Sequence, residues 1–304
     1  MRTVGHSGLE VFPVGIDGGV FGWQSGARDA AAMLDAFADS RGNLIYTADH
    51  HAGGRSEVMI GSWLRTQPDR SRFVVATTVG RHPDWPGLSP RMVTRATEAS
   101  LRRLGTDHID ILTLDGTNSS VAIDDTFEAV DALNRAGKVR HVAVLRHSSA
   151  RVRAMQRNAL ESRYPPLVAA VHDYSLMARG VFENEVAATT EELGIGFFAR
   201  RPLAHGFLSG RATGPITVPM IAGMDRAAVF AGRRGTRVLE KLTSIASEHG
   251  VSVGRVAAAW TISKPGVSAA LFSAQSVDEI VDLAAARYLA LTRSQMAALD
   301  AVSA

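Results

Sequence analysis

The sequence has no cysteine among its 304 residues, which excludes disulfides, thiolate metal ligands and cysteine nucleophiles. Lysine is nearly absent as well, with only Lys138, Lys241 and Lys264. No apolar run approaches the roughly 18 residues that a membrane-spanning helix needs, and the polar start MRTVGHSGLEV does not read as a signal peptide. Charge is not dominated by one sign: Lys+Arg 33 stands against Asp+Glu 30, a net of +3. Without a dense basic run, a pI near 9.6 does not indicate nucleic-acid binding. The expectations are a cytoplasmic protein with a small-molecule ligand, no nucleic acid and no membrane. The oligomeric state is left open.

What is present is apolar material in a regular arrangement. Hydrophobic residues make up 46% of the chain and charged residues 21%, enough for a sizeable core. Short apolar runs alternate with longer amphipathic ones, the sequence form of repeated βα units. The runs are Val11–Ile16, Asn43–Thr47, Arg72–Thr78, Ile109–Leu114, Val139–Leu145, Leu167–Val171, Gly194–Ala199 and Ser268–Ser273. Eight is the count that a closed barrel requires. Helices are expected over Asp29–Asp39, Pro90–Leu104, Asp125–Ala136 and Glu185–Leu193, and later at about 226–249 and 252–263. Residues 205–225 are rich in Gly and Pro and read as a long loop. No linker or composition shift divides the chain, so one domain spanning 1–304 is expected.

In barrels of this kind the active site forms where strands end and βα loops begin. Asp17, Tyr46, Thr78, Asp115, Arg146, His172 and Arg200 stand at those strand ends. His82, Asp84 and Trp85 lie in a loop able to cover them, Asp173 flanks them, and Trp23 is a candidate wall.

Several ordered segments resemble aldo-keto reductases: VGHSGLEVFPVGI, TADHHAGGRSEVMIG (47–61), SLRRLGTDHIDIL (100–112), GKVRHVAV (137–144), GIGFFARRPLAHGFLSG (194–210) and the stretch Val251–Trp260. The resemblance implies a (β/α)8 TIM barrel of aldo-keto reductase type with an N-terminal β-hairpin. It also implies carbonyl reduction by NADPH, with a Tyr proton donor tuned by a Lys–Asp pair and a His that orients substrate. A phenol with a pKa near 10 needs a nearby cation to titrate usefully.

Carried onto this chain residue by residue, the family's Asp falls on Tyr46, its Tyr on His51, its Lys on Thr78 and its His on Asp115. A slip of alignment does not restore them, since no lysine precedes Lys138 and Tyr46 is the only tyrosine before Tyr164. The pair that usually holds the nicotinamide amide falls on Leu145 and Arg146, and a second such pair falls on Ala170 and Val171. The stacking aromatic falls on Arg200. The Arg, Gln and Asn at the adenosine phosphate end fall on Gln275, Glu279 and Leu283. Pro202, Leu203, Gly206, Leu208 and Gly210 keep the loop that embraces the pyrophosphate in the family, although those glycines also suit a turn alone.

The replacements are ionisable more than apolar. His51 can serve as general acid or base, with Asp115 to orient it or simply to cap the segment Gly116–Ser120. Tyr46 can donate a hydrogen bond or merely occupy volume. Arg146 and Arg200 fit either an anionic group or internal salt bridges, with Asp17 and Asp115 in reach. With Asp115 raising the His51 pKa and the arginines lowering it, activity near neutral pH is expected. Asp49, His50, His51 and Asp115 match no metal-ligand spacing, and no metal is expected. Catalytic residues are therefore expected at His51, Asp115 and Tyr46, with substrate contacts from Arg146, Arg200, Asp17, Thr78 and Trp23. The leading expectation is a nicotinamide-independent acid–base enzyme (lyase, dehydratase, isomerase or cyclase) with no cofactor, acting on a small oxygenated, anionic metabolite. The alternatives are a non-catalytic protein that binds a ligand or partner, and an NADPH-dependent carbonyl reductase with a rebuilt site.

Overall fold

A computed structural model describes residues 1–118, 121–210 and 225–304. Eight parallel strands follow one another around a closed barrel in chain order. They are β1 (Val14–Asp17), β2 (Leu44–Ala48), β3 (Val74–Val79), β4 (Ile109–Asp115), β5 (Val139–Leu145), β6 (Leu167–Asp173), β7 (Gly196–Arg200) and β8 (Val267–Phe272). β8 returns to β1 with Ala270 opposite Val14 and Phe272 opposite Ile16. The barrel is the one the eight apolar runs imply.

The first run, Val11–Ile16, does not form one strand. Pro13 has no N–H to give to a ladder, so the chain breaks there. Glu10–Val11 pairs back with Arg2–Thr3 as an antiparallel hairpin, and β1 starts at Val14. The Pro13 carbonyl is still used, accepting from the Ala270 N–H at 2.9 Å. Gly5, in the left-handed region at φ +51°, brings the hairpin onto the barrel: a Cβ there would meet the Gly194 carbonyl oxygen at 2.4 Å.

Ten helices matter for placing the site: α1 (Ala27–Asp39), α2 (Arg55–Leu64), α3 (Pro90–Leu104), α4 (Ile123–Arg135), α5 (Ser149–Glu161), α6 (Ala187–Leu193), α7 (Arg233–His249), α8 (Val253–Ile262), α9 (Val277–Ala284) and α10 (Arg293–Ser303). α3 shows why such sequences become helices. Pro90 opens it, Val93, Ala96, Thr97, Ser100, Leu101 and Leu104 fill one buried face, and Gly105 ends it in the left-handed conformation. The helix expected from about residue 226 is interrupted, with a one-turn helix at Asp225–Ala228 followed by α7. Of the loop expected over 205–225, residues 211–224 lie outside the described residues, as do Ser119 and Ser120 of the capped segment after Asp115. No helix among the described residues is long and apolar enough to cross a membrane.

Alternation along the strands sends side chains into two separate cores. Leu44, Tyr46, Val74, Ala76, Ile111, Ala143, Val171, Phe198 and Leu271 fill the lumen, which the hairpin residues Val4, Leu9 and Val11 close from below. Ile45, Val75, Leu112, Val144 and Phe197 face outward and pack under the helices. Tyr46 thus belongs to the lumen core.

One ion pair crosses the outer layer with its carboxylate shut off from water. Glu57 on α2 accepts from the Thr77 hydroxyl at 2.6 Å and from Arg103 Nε on α3 at 2.6 Å, with its side chain fully buried. A buried carboxylate survives only with such partners. Arg103→Met should leave it uncompensated and lower unfolding free energy by about 3 kcal/mol in urea titrations. A loss no larger than that of an exposed arginine would show that the pair contributes nothing.

Candidate active site at the C-terminal mouth of the barrel

β2 carries Tyr46 into the top of the lumen, where its hydroxyl lies 2.7 Å from Thr78 Oγ1 on β3. Burial, only partly offset by nearby Arg200 and this hydrogen bond, pushes the phenol up to about 12. Tyr46 is therefore neutral at any physiological pH. The two positions where the family resemblance implies an Asp–Lys ion pair are occupied here by a hydrogen-bonded, uncharged pair.

Five residues beyond Tyr46 the backbone turns sharply, with Ala52, Gly53 and Gly54 all at positive φ before α2 begins. The turn holds His51 partly buried, its ring edge-on to His50 at 5.0 Å. Burial drives its pKa down to about 4. Asp17 opposes the shift, and His50 and Arg200 add to it. The hydrogen-bond chain beneath assigns the tautomer. Ser56 donates to the Gly18 carbonyl at 2.8 Å, so the Thr47 hydroxyl, 2.8 Å from Ser56 Oγ, must donate to Ser56. Thr47 Oγ1 is left as an acceptor toward His51 Nδ1, a long contact at 3.5 Å. The ring proton then sits on Nδ1, and Nε2 carries the lone pair.

Asp17, at the end of β1, accepts from the Gly19 N–H at 3.0 Å and from the Ser273 hydroxyl at 3.2 Å. A side chain built on Gly19 would meet Asp17 Oδ1 at 3.4 Å, His51 Cε1 at 3.6 Å and Ser273 Oγ at 3.6 Å. These three groups therefore border one small space.

The arginines are engaged with carboxylates. Arg146, just past β5 and in the left-handed region at φ +59°, pairs with Asp115 Oδ2, and Asp115 Oδ1 accepts from Thr117 N–H at 3.0 Å and from its hydroxyl at 2.6 Å. Asp115 is thus spent on Arg146 and on capping the next segment, not on His51. Arg200 and Arg201 share Asp173, at 3.1 and 2.7 Å. Arg200 still lies near enough to Tyr46 and His51 to lower both pKa values. Tyr46, His51, Thr78, Asp17 and Arg200 are brought together; Asp115 and Arg146 form a separate pair beside them. Trp23 is in the turn after β1 and 62% exposed, so it lines no buried wall. His82 stacks on Trp85 at 4.6 Å, and Trp85 lies against Arg103 of α3. Thr47, Ser56 and Ser273 complete the site without any signal in sequence, since a hydroxyl's role is set by the neighbours folding supplies.

The loop after β7 keeps an unusual backbone: Arg201, Ala204, His205, Gly206 and Gly210 all have positive φ. Among the described residues, a Cβ on Gly206 would meet nothing within 4 Å. The two guanidinium groups on Asp173 stand at its root. A left-handed turn beside fixed cations fits an anionic group such as a pyrophosphate.

Sequence comparisons cover most of the chain. The sequence model of the Aldo/keto reductase family matches residues 16–304. The chain belongs to the aldo/keto reductase family. Relatives of similar length include an uncharacterized oxidoreductase YrpG of Bacillus subtilis, 28% identical over 98% of this chain and 94% of that one. A probable voltage-gated potassium channel subunit beta of Oryza sativa subsp. japonica is 27% identical over 92% and 89%. Protein tas of Escherichia coli is 26% identical over 99% and 96%.

These findings correct two expectations. Membership of a reductase family and a relative named as an oxidoreductase overturn the nicotinamide-independent lyase, dehydratase, isomerase or cyclase, and with it the expectation of no cofactor. The expectation rested on side-chain losses, at the tetrad and at the nicotinamide and adenosine-phosphate contacts, whereas the backbone of the loop after β7 does not depend on those side chains. The premise of a neutral working pH, Asp115 raising the His51 pKa, is not met, because Asp115 faces Arg146 and burial dominates at His51.

His51 and His147 both titrate near 4, in each case mainly through burial. A histidine whose pKa falls on folding is bound by more protons in the unfolded chain between pH 6.5 and 4. Stability should therefore be full above pH 6.5 and fall as the pH drops through that window, by on the order of 3 kcal/mol for each. Melting temperatures from pH 7.5 to 4.5 will show this decline, and His51→Gln should flatten part of it. An equal decline in that variant would mean that His51 is not held neutral.

Proposed function

We propose that this chain is a nicotinamide-dependent oxidoreductase that interconverts a small carbonyl compound and its alcohol, with a rebuilt proton-transfer site centred on His51. The observation that carries the reading is the convergence of neutral His51, neutral Tyr46 and cationic Arg200 at the mouth of a barrel whose loop after β7 suits a pyrophosphate. A bound nicotinamide would supply or accept the hydride, its phosphates held by the left-handed turn at residues 201–210.

The chain's own residues account for the proton. His51 offers the Nε2 lone pair, since Nδ1–H is directed at Thr47, and can take the hydroxyl proton as an alcohol is oxidised. Arg200 supplies a permanent cation that stabilises the developing oxyanion in a water-poor site. Tyr46, still protonated, is a fixed neutral dipole held by Thr78. In the reductive direction His51 must be protonated before it can give a proton. Its low pKa makes that form scarce at pH 7 and commoner as the pH falls.

Turnover should be detectable with a panel of small aldehydes, ketones and alcohols, followed by nicotinamide absorbance. Reduction should accelerate as the pH is lowered from 7 to 5, whereas alcohol oxidation stays level over that range. His51→Gln should lower kcat by about 100-fold or more and remove the pH dependence of reduction. A bell-shaped profile centred on neutral pH, or a His51→Gln enzyme with unchanged rates, would assign the proton to another group.

A further inference from the structure

We infer that the outer face of α3 and α4 is the contact between two copies of this chain, with Arg91 and Arg95 of each copy set against Glu128 of the other. α3 begins against the electrostatics of a helix end. Its first turn has no acidic residue and carries Arg91, although the N-terminus of a helix disfavours positive charge. Arg95 follows one turn later, and like charges at that spacing weaken a helix. Arg102 continues the stripe, since positions i, i+4 and i+11 share one helical face. All three are exposed, and among the described residues none of them has a hydrogen bond or an ion pair. Glu98, the only acid in the helix, is already taken by Lys138. The arginine row therefore strains its own helix and lacks the anion that would relieve it.

The neighbouring helix carries the opposite charge. α4 opens with Asp124 and Asp125, and Glu128 follows one turn beyond Asp124; all three are exposed. A cavity of about 530 Å³ separates the two helices, lined by Arg91, Thr94 and Arg95 on α3 and by Glu128, Ala129 and Ala132 on α4. Arg91, Arg95 and Glu128 thus stand at one level on opposite sides of a groove, and among the described residues no ion pair closes it. A groove with both signs fits neither an acidic partner, which would meet Glu128, nor a basic one, which would meet the arginines. It fits its own copy. Successive helices of a parallel barrel run in the same direction. A two-fold axis along the groove therefore sets α3 of one copy opposite α4 of the other at the same level, and the contact repeats itself as a self-complementary interface must. The small side chains of Ala129 and Ala132 leave room for the approach. Trp85, half-buried beside Arg95 and Arg102 at a second cavity of about 410 Å³, supplies an aromatic margin.

Sedimentation of the full-length chain should show a dimer at low ionic strength that dissociates as salt is added, because exposed charge pairs are screened. Arg95→Glu and Glu128→Arg each place like charges opposite one another, twice per dimer, and each should weaken association by about 100-fold or more. Both positions are exposed on helices, and circular dichroism will show that the variants are folded. Mixing the two variants should restore a dimer, since each contact between unlike chains regains opposite charges. The double exchange in one chain, Arg95→Glu with Glu128→Arg, should dimerise as the unmodified chain does. A monomer at low ionic strength overturns the inference. So does a dimer that Arg95→Glu leaves intact, or a mixture of the two single variants that stays monomeric.

Discussion

Desolvation at the end of the barrel determines which groups there carry charge, and the site's chemistry follows from that. A group withdrawn from water remains ionised only if a partner holds it. Asp115 has Arg146, Asp173 has two arginines, and Glu57 has Arg103. Among the described residues, the hydrogen-bond partners of Tyr46 and His51 are the uncharged Thr78 and Thr47. Burial therefore leaves both neutral, the phenol near 12 and the imidazole near 4. A lysine beside a buried tyrosine would place that phenol's titration within reach of neutral pH. Thr78 gives the same oxygen only a hydrogen bond, and in the proposed reaction the task of moving a proton passes to the adjacent histidine.

Family membership and an altered tetrad are compatible because the barrel separates their functions in space. Asp17, Tyr46, His51 and Thr78 come from β1, β2, the turn after β2 and β3, whereas the left-handed turn within residues 201–210 follows β7. Substitutions in one group leave the backbone of the other intact. The left-handed residues Ala204, His205 and Gly206 are a property of the main chain, and no exchange of Tyr46 or His51 disturbs them.

The barrel was legible in sequence because its signal is periodic and local. The apolar runs lie within one to three residues of the strands, and Pro13 accounts for the main displacement. Strand ends also read well: Tyr46, Thr78, Asp17 and Arg200 meet at the mouth as the alternation implies. The pairings did not read. Arg200 finds Asp173, 27 residues earlier, and Arg146 finds Asp115, 31 residues earlier. Only the closed sheet sets those separations, and sequence spacing carries no record of them. The tautomer of His51 is less legible still, since it depends on three hydroxyl and carbonyl partners from separate segments, each ordinary alone.

The N-terminal hairpin has a bearing on traffic through the molecule. Val4, Leu9 and Val11 seal the lower end of the lumen, and Leu44, Tyr46 and their neighbours fill it to the level of the site. Among the described residues the barrel is closed from below. Anything that reaches His51 therefore approaches from the side of the mouth and leaves on that side too, so a spent molecule stands in the path of its successor.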